Sequence, residues 1–273
     1  MKLKEAWARA AKWRASRWRL TLILMLGGPE AAVAAVVKQA FDARRRAEDR
    51  LRSFVADASH ELRTPLATMH GWIDLYVQGG LSDPAQLDHA MERMQAEVSR
   101  MRLLVDELAL LAHLDAARPL NRGPVDVVAL AAEVVDDGRV VSTERAITLE
   151  GVSEAVVDGD APRIQQVLRN LVGNAVQHTR PGTPVTVTVS FHDGHVLIEV
   201  RDNGDGIAPE HLPHVFERFY RADPSRSRDA GASSGLGLAI VEAITTAHGG
   251  TTGVTSTPGQ GTTVRVTFPA TAP

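Results

Sequence analysis

The run Ser59-His60-Glu61-Leu62-Arg63-Thr64-Pro65 sets an imidazole beside a carboxylate. Around it, Phe54, Ala58, Leu62, Leu66, Met69, Ile73 and Tyr76 recur every three or four residues, so a helix would gather them on one face. His60 then projects roughly opposite that face, and Thr64 lies one turn further on nearly the same side. Packing does not explain a histidine turned to solvent. An imidazole held in water beside an acid can act as a nucleophile or carry a proton near neutral pH. Pro65 lacks an N–H, which leaves the Glu61 carbonyl without its helical partner and predicts a bend beside the histidine.

Four later segments carry further chemistry. Asn170-Leu171-Val172-Gly173-Asn174 puts two carboxamides four residues apart, on one helix face. Asp202-Asn203-Gly204-Asp205-Gly206 joins a carboxylate, which only accepts hydrogen bonds, to glycines that let the backbone turn closely. Phe216-Glu217-Arg218-Phe219 follows. Gly235-Leu236-Gly237-Leu238 then opens a helix, whose free N–H groups and positive dipole end suit phosphate oxygens.

In this order and spacing, with Phe54-Val55-Ala56-Asp57-Ala58 leading in, the five segments resemble the phosphoacceptor box and the N, G1, F and G2 boxes of two-component sensor histidine kinases. The resemblance covers about residues 42 to 268. It implies Mg·ATP bound by a C-terminal domain and autophosphorylation of His60, with Glu61 orienting the imidazole or taking its proton. The phosphoryl group would pass to an aspartate in the receiver domain of a response regulator, and Thr64 would serve the reverse, phosphatase reaction. By the same resemblance Asn174 offers an oxygen to Mg²⁺ and Asn170 supports the metal's water shell. Asp202 selects adenine, with Gly204 and Gly206 around the base. Phe216, Arg218, Phe219, Gly235, Leu236, Gly237 and Leu238 belong to the nucleotide-binding boxes.

Arg221 to Ser234 resembles a lid over ATP. Two positions depart from the pattern: Gln177 stands where many members carry Lys or Arg, and Ala232-Ser233 replaces glycines. Arg218, Arg221 and His178 are the candidates to supply the missing charge. The rival readings are an ATP-dependent clamp of the same ATPase superfamily (GHKL), an anti-sigma serine/threonine kinase, and a non-catalytic scaffold. The clamp would carry glutamate at the position of Asn170; neither it nor the anti-sigma kinase needs the histidine helix.

Composition limits the partners. The 273 residues contain no cysteine, which excludes disulfides and thiolate metal sites. Residues 1–52 carry 13 basic and 5 acidic residues, whereas residues 53–273 carry 17 and 28. The acidic remainder argues against nucleic-acid binding, and the basic end suits a polyanion or a membrane surface. Only four of the 30 basic residues are lysine, all before residue 39, so a cation touching phosphate in the C-terminal domain must be arginine or histidine. His192 with His195 and His211 with His214 lack accompanying metal-ligand patterns, so no metal is expected there.

The elements that must position these residues are legible in outline. Residues 1–41 form a basic segment with Trp7, Trp13 and Trp18 and an apolar run, Leu20 to Leu26, too short to span a bilayer. Three readings stay open for it beside a cytoplasmic catalytic core: peripheral contact with the inner face of the cell membrane, a remnant signalling helix, or a disordered basic tail. Residues 42–115 should form the dimerisation and phosphoacceptor domain. There Gly79-Gly80 separates the histidine helix from a second helix, Pro84 to about His113, with a seam of Leu87, Met91, Met94, Val98, Met101, Val105 and Leu108. One helical hairpin has too little core to stand alone, so a homodimeric four-helix bundle is expected. Residues 116–124 read as a linker.

Residues 125–273 read as an α+β sandwich, one sheet covered by helices. The helices expected there are Asp126 to Val141, Ala161 to Gln177 and Gly235 to His248. A turn at Asp193-Gly194 should pair Phe191 with Val196 and Val189 with Ile198, and two more strands should lie near 251–256 and 262–268.

Overall fold

The computed structural model describes residues 34, 37–42, 44–45, 48, 52, 54–116, 119–222 and 234–271. The expectations for residues 1–33 and for most of the lid, Ala232-Ser233 included, fall outside these residues. The chain divides into two compact units, 1–60 and 61–273. In the first, the described residues before position 54 and the stretch 54–60 are helical, Phe54 and Ala58 are half-buried, and His60 is exposed.

The second unit opens with helix α1 (61–77), which remains helical through a buried Pro65 and ends at Gly79, where φ is 76°. Helix α2 (Pro84–Asp115) starts as its sequence dictates: the Asp83 carboxylate accepts the Ala85 N–H at 3.1 Å and a proline fills the first turn. Trp72 and His89 meet edge-to-face between the two helices. The anticipated apolar stripe is only half covered. Leu62 and Met69 are half-buried, whereas Leu66, Ile73 and Tyr76 are exposed, as are Met91, Val98 and Val105 of the anticipated α2 seam. Each helix of a hairpin covers one side of the other, so the rest of a wide apolar stripe stays open.

The remainder alternates strands and helices: β1 (Gly123–Asp126), α3 (Val127–Val141), β2 (Ile147–Gly151), β3 (Val156–Gly159), α4 (Ala161–Gln177), β4 (Val185–His192), β5 (His195–Asp202), α5 (Gly237–Ala247), β6 (Thr251–Thr257) and β7 (Gly261–Pro269). Five strands form a mixed sheet in the order β2-β4-β5-β7-β6, and β1 pairs with β3 separately. The β4–β5 hairpin has the anticipated register, Phe191 opposite Val196 and Val189 opposite Ile198, because Asp193 and Gly194 both adopt positive φ. Phe191, last in its alternating set, lies beyond the helical cover and is exposed.

Period-two alternation sends Val185, Val187, Val189, Val196, Ile198 and Val200 into the core, where α3, α4 and α5 pack on one sheet face. Ile164, Leu168 and Leu171 of α4 and Ile240 and Ile244 of α5 meet them there, each buried to 2% exposure or less. Burying such a side chain contributes roughly 1.5–3 kcal/mol. Asp126 and Asp160 cap α3 and α4 by accepting the N–H groups of Val128 and Arg163. The carboxyl end of β5 and the amino end of α5 thereby come to flank the C-terminal half of α4.

Candidate active site

A cavity of about 760 Å³ lies among α4, the turn after β5, the segment 206–222, the start of α5 and strands β6 and β7. That is within the range of small-molecule sites. Of the residues singled out from the sequence, Asn174, His178, Asp202, Gly206, Arg221, Gly235, Gly237 and Leu238 line it. Gln177, Thr179, Arg180, Asp205, His211 and Tyr220 also line it. Of these, Gln177, Asp205 and His211 figured in the sequence reading, none as a nucleotide-binding residue.

Asp202, 9% exposed, is oriented by backbone donors. Its Oδ1 accepts the N–H groups of Gly204 at 2.9 Å and Thr262 at 3.2 Å. Its Oδ2 remains to accept from a donor in the cavity, such as an exocyclic amino group. Gly206 has φ of 72°, and a Cβ there would lie 2.2 Å from the Thr257 carbonyl oxygen. Only glycine lets the turn pass that close to the β6–β7 connection.

Asn170 does not line the cavity. Its Nδ2 donates to the Gly237 carbonyl at 3.1 Å, and a Cβ on Gly237 would sit 3.6 Å from Asn174 Oδ1. The carboxamide pair thus carries the amino end of α5, which places free N–H groups beside Asn174. No cluster of three or more His, Asp or Glu side chains that could cage a metal occurs among the described residues. Asn174 offers a side-chain oxygen beside the start of α5. It suits Mg²⁺, which takes few protein ligands and completes its shell with phosphate and water.

Cationic groups divide between two places. Arg221 Nη2 is buried in the cavity wall and meets no hydrogen-bond acceptor, a vacancy that phosphate oxygens would fill. Arg180 also lines the cavity, 3.4 Å from Asp205. Arg218 is not a lining residue: its Nη2 donates to both carboxylate oxygens of Asp115, at 2.7 and 2.9 Å. His178 lines the cavity, but burial, and then the neighbouring Arg221, hold its pKa below the usual histidine value against the pull of Asp202. These surroundings work against the positive charge anticipated for it.

Phe219 adopts φ of 61°, and its N–H donates to the Gly235 carbonyl at 2.9 Å. A Cβ on Gly235 would meet the Phe219 backbone at 2.9 Å, so the F segment and the start of α5 close directly on each other. Phe216 is half-buried and Leu236 is fully buried. Glu61, half-buried, lies 4.0 Å from the Arg100 guanidinium, while Thr64 is exposed.

Residues 159–272 match the family of histidine kinase-, DNA gyrase B- and HSP90-like ATPases, and residues 50–117 match the His Kinase A phospho-acceptor domain. The chain belongs to the two-component sensor histidine kinases. It is 50% identical over 224 residues to the probable sensor histidine kinase TcrY of Mycobacterium tuberculosis, covering 82% of this chain and 47% of that protein. It spans less than half the length of the curated relatives it matches. Full-length ShkA in complex with AMPPNP superposes with a TM-score of 0.60 at 30% identity, over 80% of this chain and 46% of that one. The histidine kinase ThkA, solved with the response regulator protein TrrA, shares the fold with a TM-score of 0.66 at 24% identity, over 85% of this chain and 66% of that one.

In this chain α2 packs against α5. Leu104, Glu107 and Leu111 are buried there, a second face that the seven-residue seam did not include. Its signal was present in the sequence as apolar Leu104 and Leu111 flanking an acid at helical spacing.

Proposed function

We propose that the chain is a histidine kinase core that binds Mg·ATP in the α4–α5 cavity and phosphorylates His60. The observation that carries this reading is the paired chemistry of the cavity wall. A backbone-fixed carboxylate with one oxygen to spare and a buried guanidinium nitrogen that meets no acceptor line the same cavity. An adenine amino group and phosphate oxygens answer those two needs. Asn174, supported through Asn170, would hold Mg²⁺, which would neutralise charge on the phosphates.

A ring nitrogen of His60 attacks the γ-phosphorus in line, the bond to the bridging oxygen of ADP breaks, and Glu61 takes or orients the ring proton. An aspartate of a response regulator then accepts the phosphoryl group, and Thr64 serves the reverse dephosphorylation. Residues 42–115 would act as the dimerisation and phosphoacceptor part, 116–124 as linker and 125–273 as the catalytic part. The apolar side chains left open on the hairpin, Leu66, Ile73, Met91 and Val98 among them, fit a second copy of the same hairpin.

We assign catalysis to the cytoplasm, where ATP and receiver domains are found. The seven basic residues among positions 1–26 favour peripheral contact with an anionic leaflet. Among the described residues no helix is long and apolar enough to cross a membrane.

Incubation with γ-labelled ATP tests the assignment. Acid-labile, base-stable label should appear on the wild type and vanish in His60→Ala while nucleotide binding persists. Undiminished label on His60→Ala would falsify the assignment, and loss of nucleotide binding with it would leave the label uninformative about His60.

A further inference from the structure

Arg145 lies between α3 and β2, far in sequence from every kinase motif, and is 8% exposed. Its guanidinium makes five hydrogen bonds, all to one short segment. Nη1 donates to Thr179 Oγ1 and, at 2.8 Å, to the Thr183 carbonyl. Nη2 donates to the carbonyls of Val176 at 3.1 Å, Thr179 at 3.3 Å and Arg180 at 2.9 Å. No carboxylate lies within ion-pair distance among the described residues, so the charge rests on the carbonyl-rich C-terminal end of α4, where a helix dipole favours a cation. A buried guanidinium with every acceptor within residues 176–183 is more than a surface cap, because a lysine offers neither the planar fork nor five donors.

The consequence reaches the nucleotide cavity through Thr179. The Thr179 hydroxyl donates to the Ala175 carbonyl at 2.6 Å while accepting from Arg145, so both its proton and a lone pair are committed. That fixes the side-chain rotamer and aims the methyl group at Gly204, where an added Cβ would lie only 2.5 Å from Thr179 Cγ2. Gly204 is the residue whose N–H holds Asp202 Oδ1. The turn that Arg145 holds also supplies His178, Thr179 and Arg180 to the cavity wall.

We infer that Arg145 is a positioning residue for adenine recognition. Through Thr179 it presses the α4 turn against Gly204, so that the second oxygen of Asp202 faces the base. The inference rests on the reading of the cavity as an ATP site and adds the residue that sets its base end. Arg145 touches no nucleotide, so its effect should appear in affinity and in base selectivity rather than in the phosphoryl-transfer step.

The experiment measures ADP and IDP binding by calorimetry on the full chain, with KM and kcat for autophosphorylation beside it. Hypoxanthine offers an oxygen where adenine offers the amino group, so the ADP/IDP affinity ratio reads the Asp202 contact directly. Arg145→Lys, which keeps the charge and loses the fork, should weaken ADP about tenfold, as expected when one hydrogen bond to a charged group is misplaced. IDP binding should change little, and KM should rise with kcat nearly unchanged. Thr179→Val keeps the side-chain shape and removes the hydroxyl; it should reproduce the effect, and the double variant should be hardly worse than either single one.

If Arg145→Lys does not fold, Thr179→Val and the rescuing Thr179→Ser decide the matter, since Ser restores the hydroxyl. A lower melting temperature with an unchanged ADP/IDP ratio in both Arg145→Lys and Thr179→Val would overturn the proposal and leave Arg145 a purely structural cap. Failure of the wild type to bind ADP would overturn the ATP reading itself, an outcome separable from the first by the wild-type titration alone.

Discussion

Ser234 donates its hydroxyl to Glu107 Oε2 at 2.7 Å, joining the segment that leads into α5 to α2, 127 residues earlier in the chain. The same Ser234 oxygen accepts the Leu236 N–H at 3.2 Å. A carboxyl group on α2 is thus one hydroxyl away from the backbone donors that open α5. Glu107 is 8% exposed, and its burial raises its pKa above the usual carboxylate value although the Ser234 hydroxyl favours the charged form.

That raised pKa fixes the sign of a pH effect. The folded chain keeps a proton on Glu107 that the unfolded chain releases near pH 4.5, so stability falls as pH rises from there through the raised folded value. Glu107→Gln, which is neutral at every pH, should flatten this part of the dependence. It should also stabilise the docked α2–α5 contact at pH 7.5. Chemical denaturation of both proteins from pH 4.5 to 8 checks it, and parallel curves would show that Glu107 does not carry the dependence.

His248 works in the opposite sense. It is 2% exposed, Nδ1–H donates to the Ile244 carbonyl at 2.8 Å, and Nε2 accepts the Asp160 N–H at 3.0 Å. Both nitrogens are occupied only in the neutral ring. Burial lowers its pKa most; the Ile244 carbonyl opposes this, Arg122 adds to it, and Asp160 and Asp158 oppose it. The unfolded chain therefore binds a proton that the folded chain refuses, and stability present above about pH 6.5 is lost as pH falls below it. His248→Ala should cost about 2 kcal/mol at pH 7.5 by orphaning the Asp160 N–H, and it should remove the loss between pH 6.5 and 5.5. Melting temperatures across that window decide it.

Arg221 gives a test that separates a phosphate contact from a base contact. Its buried Nη2 has no acceptor, so Arg221→Gln should weaken ATP and ADP by roughly ten- to a hundredfold while leaving adenosine affinity within twofold. Equal losses for ATP and adenosine would place Arg221 outside the phosphate contact.

Local patterning made the catalytic part legible. Helix α4 begins and ends where its sequence indicates, since Asp160, Pro162 and the apolar spacing agree with each other. The β4–β5 register follows from Asp193-Gly194 alone. Strands β1, β2 and β3, four or five residues each, escaped notice because Ile147–Gly151 and Val156–Gly159 are too short to show alternation. The site residues that stayed hidden act at long range. Arg145 has no local pattern, and its meaning appears only when Thr179 is folded against it. His211 and Tyr220, 2.7 Å apart in the cavity wall, likewise needed the fold to bring them together.

Arg218 poses the sharpest contrast between motif and geometry. As a member of the F segment it is a candidate for nucleotide charge, yet its guanidinium meets Asp115 at the end of α2 across 103 residues. Asp115 is about half exposed, so the pair itself contributes no more than about 1 kcal/mol to stability. Its effect should instead be on how often the catalytic part leaves α2 to act. Arg218→Ala and Asp115→Asn should raise or lower autophosphorylation by the same factor, and the double variant should match either single one, while ADP affinity stays within twofold of wild type. If Arg218→Ala alone weakened ADP tenfold and Asp115→Asn did nothing, Arg218 would belong to the phosphates and the ion pair with Asp115 would be incidental.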